Sequence, residues 1–284
     1  FAWAFAREPV AGVTPFEHMR SLPAASRDGA SPAAARPELD EILEALDSGT
    51  LPEVILSRLA PDRGDAGGGR RMPLAVSISG PARHHGAGWL DEATRRLGWV
   101  QGAAVGDATV PARLEAGSMV AGVLMEGDGT VAVGGTVTAV EEDRVWAFGH
   151  PFLGGGRLEL PMAAAELVTV VPSLAESFRV FAVGETVGAF EVDLTHGVWG
   201  RLGRSAEMVP LKVRAGEHHY RFRVVRHPTL LPLLAAFAVS GSHAAHGATF
   251  GEQTVRLRIG ADYAGHERLV MESAFTGSDA PAVA

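Results

Sequence analysis

The 284-residue chain has no cysteine. Disulfides, thiolate metal sites and a cysteine nucleophile are thereby excluded. Charged residues make up only 20% and aromatic ones 7%, while hydrophobic residues reach 46%, so a sizeable core is available and global disorder is excluded. Lys and Arg number 25 against 33 Asp and Glu, for a net charge of −8. An acidic balance of this kind argues against nucleic acid or an anionic membrane as partner, since neither offers it a favourable field. No apolar run is long enough to span a bilayer; the longest in the C-terminal third, Thr229 to Val239, is interrupted by Pro232. No signal peptide is visible, and the chain opens on Phe1, which reads as a fragment or processed product whose destination is left open. The HExxH pattern is missing, no Lys-Ser/Thr follows the glycine runs, and no G-x-G-x-x-G opens a helix. No cofactor is therefore expected.

What is present reads as mainly β with minor helices. Strand patterns occupy residues 73–80, Val120–Met125, Gly134–Val140, Arg144–Phe148, Phe178–Val183, Glu217–Arg226, Thr254–Ile259 and Arg268–Phe275, between glycine-rich turns. Helical spacing covers Glu38–Leu46, Leu51–Leu59, Gly88–Gly98 and Pro228–Val239. Met162–Val171 also reads as a helix, although its last residues are β-branched. Residues 1–22 begin as the end of a strand, with a short helix after Pro15. Residues 23–37 and 62–71 have too few apolar side chains to offset the entropy of ordering and are expected to be irregular. The expected division is 1–22, a segment following an upstream loop; 23–72, linker and short helices; 73–213, the core; and 214–284, a β-rich accessory region.

His150 is the first candidate for chemistry. It follows a strand pattern, VWAFGH, and precedes Pro151 and the glycines at 154–156. A histidine at such a strand end can protrude into a cleft, where its near-neutral pKa suits proton transfer; the bland alternative is a histidine that caps a turn. The pairs His84-His85, His218-His219 and His243/His246 raise the question of a metal, but no carboxylate stands at a recognised spacing, so no metal is expected. Glu142 and Asp143 read as solvated turn residues.

The segment Gly117–Gly203 resembles the SpoIVB-type serine peptidases, the sporulation factor IV B peptidases and their non-sporulating bacterial relatives. The matching stretches are GSMVAGVLMEGDGTVAVGGTVTAVEEDRVWAFGHPFLGGG, LPMAAAELVTVVPSL and GETVGAFEVDLTHGVWGRLG. Gly135-Thr136-Val137-Thr138 and Gly149-His150 occupy the places of the family's G-T-x-T and Gly-His motifs, which makes His150 the implied general base. Asp193 is the implied acid, against the plainer reading of a turn-forming Asp near Thr195. The resemblance implies a chymotrypsin-like β-barrel and serine endopeptidase activity on exported or membrane-associated proteins. It also implies an extracytoplasmic location in the periplasm or cell envelope. The family's Gly-Met-Ser-Gly-Ser-Pro loop is not in this chain. Ser118, Ser173, Ser177, Ser240 and Ser242 match no family nucleophile. Residues Phe1–Met19 resemble the stretch that follows the serine loop, so the nucleophile is expected upstream of Phe1 and this chain alone is expected to be inert. Phe1–Ala6 is expected to form a strand in the same core as Val145–Phe148. The rival is a non-catalytic protein-binding module on a former peptidase fold; the oligomeric state is left open.

Overall fold

A computed structural model describes residues 14–21, 74–84, 88–103, 110, 112–153, 156–171, 178–194, 196–246, 251–262 and 264–277. The chain is mainly β. Its strands are β1 (Leu74–Ile78), β2 (Trp99–Ala103), β3 (Met119–Gly127), β4 (Val131–Glu141), β5 (Arg144–Ala147), β6 (Gly156–Val171), β7 (Phe178–Leu194), β8 (Gly197–Leu202), β9 (Met208–Ala215), β10 (His218–Val225), β11 (Gln253–Ala261) and β12 (Leu269–Gly277). The described α-helices are α1 (Phe16–Arg20), α2 (Gly88–Arg96) and α3 (Leu230–Ala244).

Six strands close on themselves. The antiparallel pairings run β3–β4–β5–β8–β7–β6 and return to β3, where Met119–Gly122 meet Ala165–Met162. Within that ring β6 lies beside β3 after three consecutive neighbours, the Greek-key order. Closure leaves the ring without an open edge along its paired length, and the inward side chains form its core. Val120, Val137, Val145, Leu160, Met162, Phe190 and Val198 are all buried there.

The β3–β4 hairpin is longer than the ring needs, and its far half builds a second sheet. Beyond a register shift at Val123/Met125, β3 exchanges β6 for β10; β4 pairs with β1 over Val131–Gly134 and with β5 from Val137 onward. Bulges of this kind bend a strand and let it change neighbours. The outer sheet is completed by β2, parallel to β1, and by β9, antiparallel to β10. Helix α3 covers it: Leu230, Leu233, Leu234, Phe237, Ala238, Gly241 and Ser242, spaced three and four apart, are its buried face. His227 opens α3, its Nδ1 accepting the N–H groups of Thr229 and Leu230 at 3.3 and 3.2 Å. Burial holds the His227 pKa below its ordinary value.

Two expectations are corrected. Met162–Val171 is strand, because its alanines sit inside a ring flanked by β3 and β7, with Met162, Ala163 and Ala164 buried. A strand buried on both faces shows a continuous apolar run that periodicity cannot distinguish from a helix. Strands β2 and β9 were not anticipated. Residues 23–37, 62–71, Glu38–Leu46, Leu51–Leu59 and Phe1–Ala6 lie outside the described residues. No described helix is long and apolar enough to cross a membrane.

Candidate active site

The chain leaves β5 through a sharp turn. Phe148 and Gly149 both take positive φ, 71° and 69°. Glycine adopts that conformation freely, but a bulky aromatic residue is strained there. Three bonds hold the turn: Phe148 N–H donates to the Thr136 carbonyl at 3.0 Å, Gly149 N–H to the Ala147 carbonyl at 3.0 Å, and Thr14 Oγ1 to the Gly149 carbonyl at 2.7 Å. The Phe148 ring lies over Gly135, where a Cβ would fall 2.6 Å from Cε1. Its edges meet Phe190 at 5.9 Å, Phe152 at 6.4 Å and the His150 imidazole at 6.0 Å between centroids. Gly135 of the G-T-V-T motif thus makes room for the residue that carries His150.

His150 is half-buried and stands three residues beyond the end of β5. Its Nδ1 lies 3.0 Å from the Pro151 carbonyl oxygen. A carbonyl can only accept, so this bond assigns the proton to Nδ1 and leaves the Nε2 lone pair as the basic position. His150 is therefore prepared as a proton acceptor through Nε2.

Asp193, near the end of β7, is 1% exposed. Its carboxylate accepts the N–H groups of Phe152 at 2.7 Å and Leu153 at 2.5 Å. It fixes the loop that follows His150, whereas His150 itself bonds Pro151. The two implied residues are brought to one end of the barrel, but Asp193 works on the backbone beyond the histidine and not on its ring. A buried carboxylate satisfied by two amide donors is a strong and local clamp.

Helix α1 seats beside this turn. Met19 is fully buried against Trp146, Val192 and Trp199, and Phe16 meets Trp146 edge to face at 5.5 Å. His18 comes within 5.6 Å of His196, between ring centroids, at the β7–β8 connection. Sequence reasoning missed Thr14 as a partner of the His150 turn, since nothing in TPFEHM announces a contact 135 residues away.

The serines fall elsewhere. Ser118 Oγ accepts the Glu115 N–H at 3.0 Å and shapes the turn into β3, as its place in the sequence suggests. Ser240 and Ser242 are on α3, and Ser242 is buried. Ser173 and Ser177 are outside the described residues. No described serine is hydrogen-bonded to His150. Glu142 and Asp143 make the exposed β4–β5 turn, with Glu142 at φ 55°. His218, at the start of β10, stacks on His246 at 3.5 Å, and Tyr220 Oη bonds His246 Nε2. Parallel rings cannot both aim a nitrogen lone pair at one ion, and no described cluster could hold a metal. A cleft of about 490 Å³ opens on the barrel wall between Arg113, Met119, Thr136, Leu167 and Arg179. It does not include His150; the link between them is Thr136, whose carbonyl holds Phe148.

No family model, curated protein or solved structure matches this chain.

Proposed function

We propose that the chain is the His-bearing part of a serine endopeptidase of the SpoIVB type, with His150 Nε2 as general base in acyl transfer. The observation that carries this reading is the His150 turn: a strained exit from β5, with Nδ1 tied to a backbone carbonyl so that Nε2 is free to accept a proton. Strain kept at a barrel end by several bonds is characteristic of functional positions. The Gly-Thr-Val-Thr and Gly-His motifs add to it, since the first accommodates Phe148 and the second ends the turn. In this mechanism a serine hydroxyl, from a Gly-Met-Ser-Gly-Ser-Pro loop that these residues lack, attacks a peptide carbonyl while Nε2 takes its proton. The imidazolium then returns the proton to the leaving amine. Asp193 is a positioning residue, holding the Phe152 and Leu153 amides of the loop that follows His150. The substrates are exported or membrane-associated proteins, and the setting is extracytoplasmic.

The second reading, a protein-binding module without catalysis, is favoured by one observation: no described serine is hydrogen-bonded to His150. A single experiment separates the two. The chain is assayed together with the segment bearing the serine loop, using a fluorescent fluorophosphonate and a quenched unfolded protein substrate. The peptidase reading expects labelling and cleavage, with cleavage falling by about a thousandfold or more in His150→Ala. Absence of both labelling and cleavage, with retained binding of the unfolded substrate, favours the module.

A further inference from the structure

The β6–β7 hairpin outruns the ring it belongs to. β6 pairs with β3 only as far as Ala165, opposite Met119, while its pairing with β7 continues to Val171. From residue 166 to 171, one side of β6 has no ladder partner among the described strands. Free N–H and C=O groups on a strand edge are a template for another extended chain. Natural edges are usually blunted by charge or proline. This one carries Leu167, Val168 and Val170 at 46, 48 and 48% exposure, with Glu166 as its single charge.

The 490 Å³ cleft runs along that edge. A register shift between Leu167 and Thr169 allows Leu167 and Val170, three apart, to line the same cleft, with Leu114 and Met119 across from them. Its charged lining is Arg113, Arg179 and Glu166. Among the described residues neither arginine has a carboxylate partner; Arg113 is exposed, and Arg179 makes a 3.4 Å bond to Thr136 Oγ1. On a chain of net charge −8, two cations with no described carboxylate partner, beside an aliphatic groove and an open backbone edge, select for a particular occupant.

We propose that β6 residues 166–171 capture an extended segment of a partner protein as an added strand, and that this segment carries aliphatic side chains and at least one carboxylate. The backbone edge requires an extended chain, Leu114, Met119, Leu167 and Val170 accept an aliphatic side chain, and Arg113 with Arg179 accept the carboxylate. A second copy of this chain fits less well, because each copy brings Arg113 and Arg179 with the single Glu166, so two such edges would meet with the same net sign of charge. The docking does not depend on His150 and stands whether or not the chain takes part in catalysis.

The test uses fluorescein-labelled Ac-Thr-Val-Asp-Val-Thr-Val-NH2 as probe, read by anisotropy. Saturable binding is expected, about tenfold weaker in the exposed double variant Arg113→Glu/Arg179→Glu and about tenfold weaker for the probe with Lys in place of Asp. A probe N-methylated at alternate amides should lose binding, because it cannot complete a ladder, and His150→Ala should bind as the parent does. Hydrogen exchange should slow at residues 166–171 when the probe is present. Equal affinity for the acidic, basic and N-methylated probes would overturn the proposal. So would absence of binding, or a concentration-dependent dimer in ultracentrifugation that Val168→Lys abolishes and that excludes the probe.

Discussion

Gly135 and Phe148 form one unit. The glycine has no Cβ, the ring fills that space, and the chain turns through positive φ at Phe148 to present His150. Gly135 has no positive φ of its own, so alanine there is objectionable only for the collision with the ring. The ring has no easy retreat, being packed against Phe190 and Phe152. Gly135→Ala should destabilise the protein by about 1–3 kcal/mol. Phe148→Ala should also destabilise it, and the double variant should cost clearly less than the sum, since the collision is gone once the ring is removed. Urea denaturation of the four proteins checks this; additive losses would mean that the two residues do not share that space. The motif G-T-x-T was legible in the sequence, but its physical role was not, because the partner ring lies 13 positions on and reaches back only after β5 has paired. Asp193 was legible as a candidate, but its bonds to the Phe152 and Leu153 amides were not, since chain order cannot say whether a carboxylate meets an imidazole or the amides beyond it.

A clear alternation or a three-and-four repeat made an element readable, whereas the continuous apolar run of β6 did not show which element it forms. β10 alternates and α3 repeats at three and four, so each announces itself. β6 has alanine and methionine facing both sides inside the ring, and so imitates a helix. Helix α3 also has a start signal that propensity misses. His227 accepts two helix N–H groups through Nδ1 and can do so only when that nitrogen is unprotonated. Its folded pKa lies below its ordinary value, so the unfolded chain binds the proton more readily than the folded one. Stability should therefore be fully present above about pH 6.5 and decline as pH falls toward the folded pKa. Asn at this position keeps an oxygen acceptor and does not titrate. Between pH 7.5 and 5.5 the parent should lose about 1 kcal/mol more than His227→Asn, or ~2–4 °C in Tm. Thermal melts of both at the two pH values decide it, and parallel losses would remove His227 from the cap.

At the scale of the whole molecule, cooperativity should follow closure. The ring and the outer sheet share β3 and β4, so neither can open without breaking the other's ladder. The pair β11–β12 stands apart: in the described ladder each pairs only with the other, and Ile259, Leu269 and Val270 are 44, 46 and 44% exposed. A two-stranded hairpin has little apolar surface to bury and is marginal on its own. Strand patterns for both were plain in the sequence, because alternation reports a strand whether or not anything packs on it. What the pattern could not report is that neither face is covered by a large core. The expected outcome is two classes of amide exchange. Core positions in β3, β4 and β7 should exchange only through global unfolding, and those in β11 and β12 at least about a hundredfold faster through local opening. Removing residues 251–284 should accordingly leave the Tm of the remainder within about 2–4 °C of the parent, a change of no more than ~1 kcal/mol. A truncated chain that fails to fold, or exchange in β11–β12 as slow as in β3 and β4, would make the hairpin part of the cooperative core and not an appendage to it.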